Sequence, residues 1–247
     1  MGKESGTMSR IAFVSGASGL IGIQLLHQLF KNQSFDWVVA FGRRDLALKH
    51  QKLVQLTVDF DQLDKIDLLD ELRSQNMGGE KQSLIKGLSE NSATICAFSA
   101  LGTTIKKAGS KESFYRIDHD FVIEFARFSL KSGAKRFFYV SALGADAQSS
   151  IFYNKVKGEV ENDLKRMDFD YVGIFQPSLL LGERKESRPG EEIGKVLMKF
   201  VGLLGLFKKY KPIYDHQVAK AMVQKALNSK ITGNETIPSS EMHKMTQ

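Results

Sequence analysis

The chain has 247 residues, 42% apolar and 26% charged, a composition that suits a globular protein with one sizeable core. No apolar run approaches the ~20 residues needed to cross a bilayer, which excludes a transmembrane helix. The net charge of +7 is spread thinly: Lys106-Lys107, Lys165-Arg166, Lys208-Lys209 and Lys211 lie far apart, without zinc-ligand spacing, a basic zipper or an RNA-binding aromatic signature. No specific nucleic-acid partner is therefore expected. Residues 1–8 carry no apolar signal region and read as a tail, so a cytoplasmic protein is expected.

In chain order, residues 11–15 form a short apolar strand, followed by a glycine-rich turn over 16–22. Ile21, Leu25, Leu26, Leu29 and Phe30 then recur at helical spacing. Further strands are predicted at 37–41, 53–58, 93–98, 136–140 and 171–175. Helices are predicted at about 62–74, 112–131 and 153–167. The strands are continuous apolar runs, as expected when helices cover both faces of a parallel sheet. Cys96 lies within one of them; as the single cysteine it excludes an intramolecular disulfide and fits a reducing compartment. Alternating strands and helices imply an α/β fold with a doubly wound parallel Rossmann sheet and ligands at the strands' C-terminal edge. One NAD(P)-binding domain is expected to fill 1–247. Its parts are a cofactor-binding core at 8–185, a flexible polar insertion at 75–91, a small C-terminal substrate lid at 186–229, and tails at 1–8 and 230–247.

The turn reads Gly16-Ala17-Ser18-Gly19-Leu20-Ile21-Gly22, between a strand and an amphipathic helix near the N-terminus. Gly16 permits the tight turn, Gly19 lets backbone approach a pyrophosphate, and Gly22 allows close helix–strand packing. N–H groups at the helix N-terminus, around Ser18, Leu20 and Ile21, then face the phosphates. The second strand ends in Gly42-Arg43-Arg44. An acidic residue there would favour NAD by binding the ribose hydroxyls; arginines suit a 2′-phosphate, so NADP(H) is the expected cofactor. Asp59, after the third strand, suits either a hydrogen bond from adenine or a helix N-cap.

Tyr153 and Lys157 stand four residues apart, on one face of a predicted helix. An ammonium beside a phenol favours the phenolate and makes the tyrosine a usable acid at neutral pH. The same lysine is placed to hold the nicotinamide ribose. Ser141, at the end of the fifth strand, is a candidate to hold a substrate carbonyl by hydrogen bond. His119, between two aspartates, reads as a surface residue.

Together, these elements resemble the short-chain dehydrogenase/reductase superfamily in its atypical branch, and within it the Tat-interacting oxidoreductase family. The resemblance runs from about residue 10 to 192. It rests on the glycine turn, Gly42-Arg43-Arg44, Val58-Asp59-Phe60, Leu101-Gly102-Thr103-Thr104 and Lys107-Ala108-Gly109. It continues in Lys155-Val156-Lys157-Gly158-Glu159-Val160-Glu161 and Arg184-Lys185-Glu186-Ser187-Arg188-Pro189-Gly190-Glu191. It implies that Leu101 and Gly102 pass the middle of the cofactor, and that Leu180 and Arg188 flank its nicotinamide end. Asp118 stands where many members of the superfamily carry an asparagine, and Gln176-Pro177-Ser178 lacks the family's arginine. The implied activity is NADPH-dependent reduction of a small carbonyl or enone. The alternative is an NADPH-binding regulator or scaffold with a protein partner and little turnover. The apolar, lysine-flanked stretch 193–211 adds a possible weak contact with a membrane surface.

Overall fold

A computed structural model describes residues 9–75, 79–182 and 211–247. Its centre is a seven-stranded, all-parallel sheet. The strands are β1 (Ser9–Ser15), β2 (Trp37–Gly42), β3 (Leu53–Thr57), β4 (Ala93–Ser99), β5 (Arg136–Val140), β6 (Tyr171–Gln176) and, at the far edge, β9 (Gly233–Pro238). Their spatial order is β3-β2-β1-β4-β5-β6-β9, so the chain reverses direction across the sheet between β1 and β4. In such sheets the crevice beyond that reversal is where ligands bind. A separate pair, β7 (Leu180–Leu181) with β8 (Ile213–Tyr214), lies outside the main sheet.

Both faces of the sheet are buried, which explains the unbroken apolar runs. In β1, Ile11 and Phe13 belong to one core, while Ala12 and Val14 belong to the other. The first core is covered by α2 (Leu68–Ser74), α3 (Gln82–Ser89), α6 (Phe121–Lys131) and α7 (Phe152–Lys165). The second is covered by α1 (Leu20–Lys31), α8 (Asp215–Leu227) and α9 (Ser239–Thr246). Two short helices, α4 (Ile105–Ala108) and α5 (Lys111–Tyr115), lead into α6.

Four expectations change. Residues 75–91 are not wholly a flexible insertion: α3 buries Leu84 and Leu88, and the Trp37 indole N–H donates to Ser83 Oγ at 3.2 Å. Its apolar face is only one turn deep, too short to stand out among polar neighbours. The 230–247 tail instead supplies β9 and α9, where the buried Ile237 and Met242 complete the second core. The lid narrows, because α8 buries Val218, Ala219 and Met222 in that same core, against α1. Residues 186–210, including Arg188 and nearly all of the 193–211 stretch, lie outside the described residues. Finally, the helix expected at 112–131 is interrupted by a π turn, Arg116–Asp120. Such turns insert one residue and re-aim the side chains around it.

Candidate functional site

At the switch between β1 and β4, Gly16 adopts φ +74°, and a Cβ there would fall 2.4 Å from the Ala100 carbonyl carbon. Gly22 presses on the same turn, since its Cβ would meet Gly16 O at 2.1 Å. Glycine is required at both positions, by backbone angle at the first and by close approach at the second. Gly19 is the N-cap of α1, with no side chain capping the helix. Its φ of −78° is an ordinary angle, so its value lies in leaving the helix N-terminus uncovered.

Beside this turn lies a cavity of about 420 Å³. Gly16, Ser18, Gly19, Arg43, Arg44, Leu101 and Gly102 line it, as the sequence suggested, together with Phe60, Thr103 and Ile117. Leu20 is half-buried, and Ile21 and Gly22 are buried, so they offer backbone rather than side chains. Asp59 does not line the cavity; it caps the 3-10 turn Phe60–Lys65 by accepting from the Asp61 N–H at 3.0 Å, the cap option of its two. The loop after Arg43-Arg44 is pinned from β3 by residues no motif had marked. Gln55 accepts from the Leu46 N–H at 2.7 Å and donates to Leu46 O at 3.3 Å and Leu48 O at 3.1 Å. Thr57 Oγ1 donates to Asp45 Oδ1 at 2.9 Å. The cavity's size, bare helix terminus and arginine edge fit the adenosine and phosphate part of a dinucleotide.

The tyrosine–lysine pair sits on α7, next to the cavity floor. Lys157 is buried, and its Nζ lies 3.1 Å from Tyr139 Oη on β5 and 3.0 Å from Asp118 Oδ1 in the π turn. Asp118 Oδ2 accepts from the Thr103 N–H at 2.8 Å. A Cβ on Gly102 would stand 3.4 Å from Asp118 Oδ1 and 3.8 Å from Lys157 Nζ, so the pair lies directly behind this part of the cavity wall. Burial works against the lysine's charge, but Tyr139 and Asp118 outweigh it and hold its pKa above the usual value. Burial pushes Tyr139 up to about 12, against the pull of Lys157. Tyr153, half-buried, packs its ring on Phe114 at 5.8 Å.

Ser141 keeps its place and changes its role. It is buried and donates to Glu161 Oε1 at 2.5 Å, an oxygen that also accepts from Gln176 Nε2 at 2.9 Å. Its proton is engaged by a carboxylate, so in this arrangement it is not the donor to a substrate oxygen. His119 is not a surface residue: its side chain is 12% exposed, with Nδ1 2.9 Å from Asp120 and Nε2 3.1 Å from Asp163 on α7. Leu180 pairs with Ile213 in the β7–β8 ladder. Cys96 is an inert core residue, its thiol pushed up to about 11 by burial. Among the described residues, no helix is long and apolar enough to cross a membrane.

Sequence comparison gives a consistent picture. Protein HTATIP2 of Rattus norvegicus is 34% identical over 199 residues, covering 79% of this chain and 72% of the rat protein. "Protein fmp52, mitochondrial" of Aspergillus niger is 32% identical over 245 residues, covering 93% of this chain and 94% of its own. "Protein FMP52, mitochondrial" of Kluyveromyces lactis is 34% identical over 239 residues, with 93% and 95% covered. No family model matches the chain. Among solved structures, an oxidoreductase of the short chain dehydrogenase/reductase family from Burkholderia thailandensis superposes with a TM-score of 0.63 at 16% identity, over 96% of this chain and 94% of the other. MoeE5 in complex with UDP-glucose and NAD gives 0.59 at 17% identity, over 92% and 75%. At such identities the structural likeness shows the fold. The expectation of a cytoplasmic protein is overturned by the fungal relatives, which are named as mitochondrial. It rested on the character of residues 1–8, which says nothing of import into mitochondria, where transit segments are amphipathic.

Proposed function

We propose a function from the premise that this chain belongs to the atypical short-chain dehydrogenase/reductases, in the family of Protein HTATIP2 and FMP52. It is an NADP(H)-dependent oxidoreductase acting on a small carbonyl or enone, and it works in mitochondria. The observation that carries this reading is the cavity at the β1/β4 switch, with a bare helix terminus at one side and Arg43-Arg44 at its edge. The mitochondrial assignment rests on the names of the fungal relatives, and fractionation of cells expressing the tagged full chain tests it.

When bound, the dinucleotide supplies a hydride. The rest of the work belongs to this chain. Main-chain N–H groups at the start of α1 hold the pyrophosphate, and Arg43 and Arg44 pair with the 2′-phosphate. The ammonium of Lys157 orients the ribose, and Tyr153 Oη donates a proton to the substrate oxygen. Ser141, bonded to Glu161, ties the end of β5 to α7 and so helps place the helix that carries Tyr153 and Lys157. The alternative, an NADPH-binding regulator with little turnover and a protein partner, is favoured by one observation. Lys157 and Ser141 already have close partners in Asp118 and Glu161.

Titration of cofactor fluorescence tests the proposal. NADPH is expected to bind at least about tenfold more tightly than NADH, since a charge-assisted hydrogen bond contributes roughly 1.5–3 kcal/mol. Arg43→Ala/Arg44→Ala should bring the two affinities together. Equal affinities in the parent protein would remove the basis for NADP(H). Gln55→Leu should weaken NADPH about three- to tenfold and NADH less, because Gln55 pins the arginine loop besides lining the cavity. An equal effect on both cofactors would mean that Gln55 acts through the cavity wall or the fold and not through the arginines.

A further inference from the structure

We propose that Asp118 is the counter-ion that keeps Lys157 protonated in its buried place beneath the cavity. It is a positioning residue, acting through the lysine on bound cofactor. The proposal deepens the function given above and rests on its assignment of Lys157 to the cofactor.

The arrangement lies within the π turn. Three consecutive residues are sent to three different places: Ile117 lines the cavity, Asp118 turns into the interior, and His119 faces Asp163 on α7. Asp118 is 1% exposed and the Lys157 side chain 4%, with 3.0 Å between Oδ1 and Nζ. The other carboxylate oxygen holds the Thr103 N–H, and Thr103 itself lines the cavity. One side chain thus ties the cavity floor to the lysine on α7.

The groups that face Lys157 come from three elements. Tyr139 on β5 offers its hydroxyl at 3.1 Å, Tyr153 lies one turn earlier on α7, and Asp118 faces it from the π turn. Glu161, one turn later on α7, is taken up by Ser141, Gln176 and Lys165. Tyr139, raised to about 12, is a neutral phenol at physiological pH. Among the described residues facing Nζ, that leaves the Asp118 carboxylate as the balancing charge. A buried lysine without such a charge sheds its proton, and its pKa falls by as much as about 3–5 units. The Asp118→Asn variant keeps an acceptor for the Thr103 N–H and replaces the charged oxygen facing Lys157 with an uncharged amide NH2. Lys157 should then titrate within the working pH range. Its hold on the cofactor would be present below the new pKa and lost as pH rises through it.

The experiment is NADPH titration by fluorescence between pH 7 and 9.5, on the full chain, with no substrate needed. The parent protein should show affinity free of any lysine inflection over that range. Asp118→Asn should weaken about fivefold or more as pH rises, because a charged donor makes a hydrogen bond roughly twice as strong as a neutral one. Lys157→Met should be weaker throughout and without that inflection. If Lys157→Met is weak and Asp118→Asn stays flat with pH, the counter-ion role is wrong while the cofactor assignment stands. If Lys157→Met binds as the parent does, the cofactor assignment itself fails and takes the proposal with it. Should Asp118→Asn not fold, the Asp118→Asn/Lys157→Met double variant decides. Recovery of folding supports the proposal, since the unbalanced ammonium was the fault, and continued failure overturns it.

Discussion

Gly22→Val is expected to lose both stability and NADPH binding, whereas Gly19→Val is expected to lose binding with a much smaller drop in stability. The two glycines stand three residues apart in one turn, and the geometry separates them. At Gly22 an added Cβ would sit 2.1 Å from Gly16 O and 2.8 Å from Ala17 Cα, both backbone atoms that no rotamer change can move. α1 would have to lift from β1, exposing part of the apolar face that buries Leu25, Leu26 and Leu29. Overpacking of this kind costs about 1–3 kcal/mol or more, and in a chain of this size that is about 3–10 °C in Tm. At Gly19 the nearest atoms to an added Cβ are Gly16 O at 3.2 Å and Ala100 O at 3.8 Å, and the backbone angle is ordinary. Valine there asks Gly16 O to give by a few tenths of an ångström, far less than at Gly22, and would intrude on the space a pyrophosphate needs at the helix terminus. Thermal melting and calorimetric titration of both variants read the difference. Undiminished NADPH binding by Gly19→Val would show that the helix terminus is not the phosphate site. An unchanged Tm for Gly22→Val would show that the close contact with Gly16 relaxes freely.

The difference between those glycines marks what a sequence conveys. The turn, the arginine pair and the Tyr153–Lys157 spacing are local patterns, and each is legible because its meaning lies within one strand–turn–helix or one helical turn. What the sequence hid are pairings between distant elements. Asp118 meets Lys157 across 39 positions, Ser141 meets Glu161 across 20, and Gln55 reaches back nine residues to Leu46. Nothing in the spacing of those residues announces a contact. The bond from Ser141, read as a substrate donor, to Glu161 was missed for that reason, since its partner lies on another element. The expected helix at 112–131 failed differently. A π turn leaves the apolar rhythm nearly intact while redirecting Asp118 and His119. The β9 edge strand was missed because only Ile237 of its six residues is buried, too few to show a period.

Tyr153→Phe is expected to retain NADPH binding and to lose most turnover, by roughly 10²–10⁴-fold, the usual contribution of a positioned general acid. The substitution is a clean one in this fold. The ring of Tyr153 packs on Phe114 at 5.8 Å, and phenylalanine preserves that contact while removing only the hydroxyl. Lys157 has its close contacts with Tyr139 and Asp118, which Tyr153→Phe leaves in place. Cofactor affinity should therefore change little, and a loss in kcat with nearly unchanged NADPH binding isolates the proton transfer. Lys157→Met behaves differently, weakening cofactor affinity and turnover together, because one ammonium serves both. A screen of carbonyl and enone compounds for NADPH oxidation by the parent protein must come first. If a substrate emerges and Tyr153→Phe turns it over at the parent rate, Tyr153 is not the acid. If none emerges while NADPH binds tightly, the Asp118–Lys157 pair has the meaning a regulator would give it. The lysine is then held for binding, and the tyrosine beside it has no substrate oxygen to protonate.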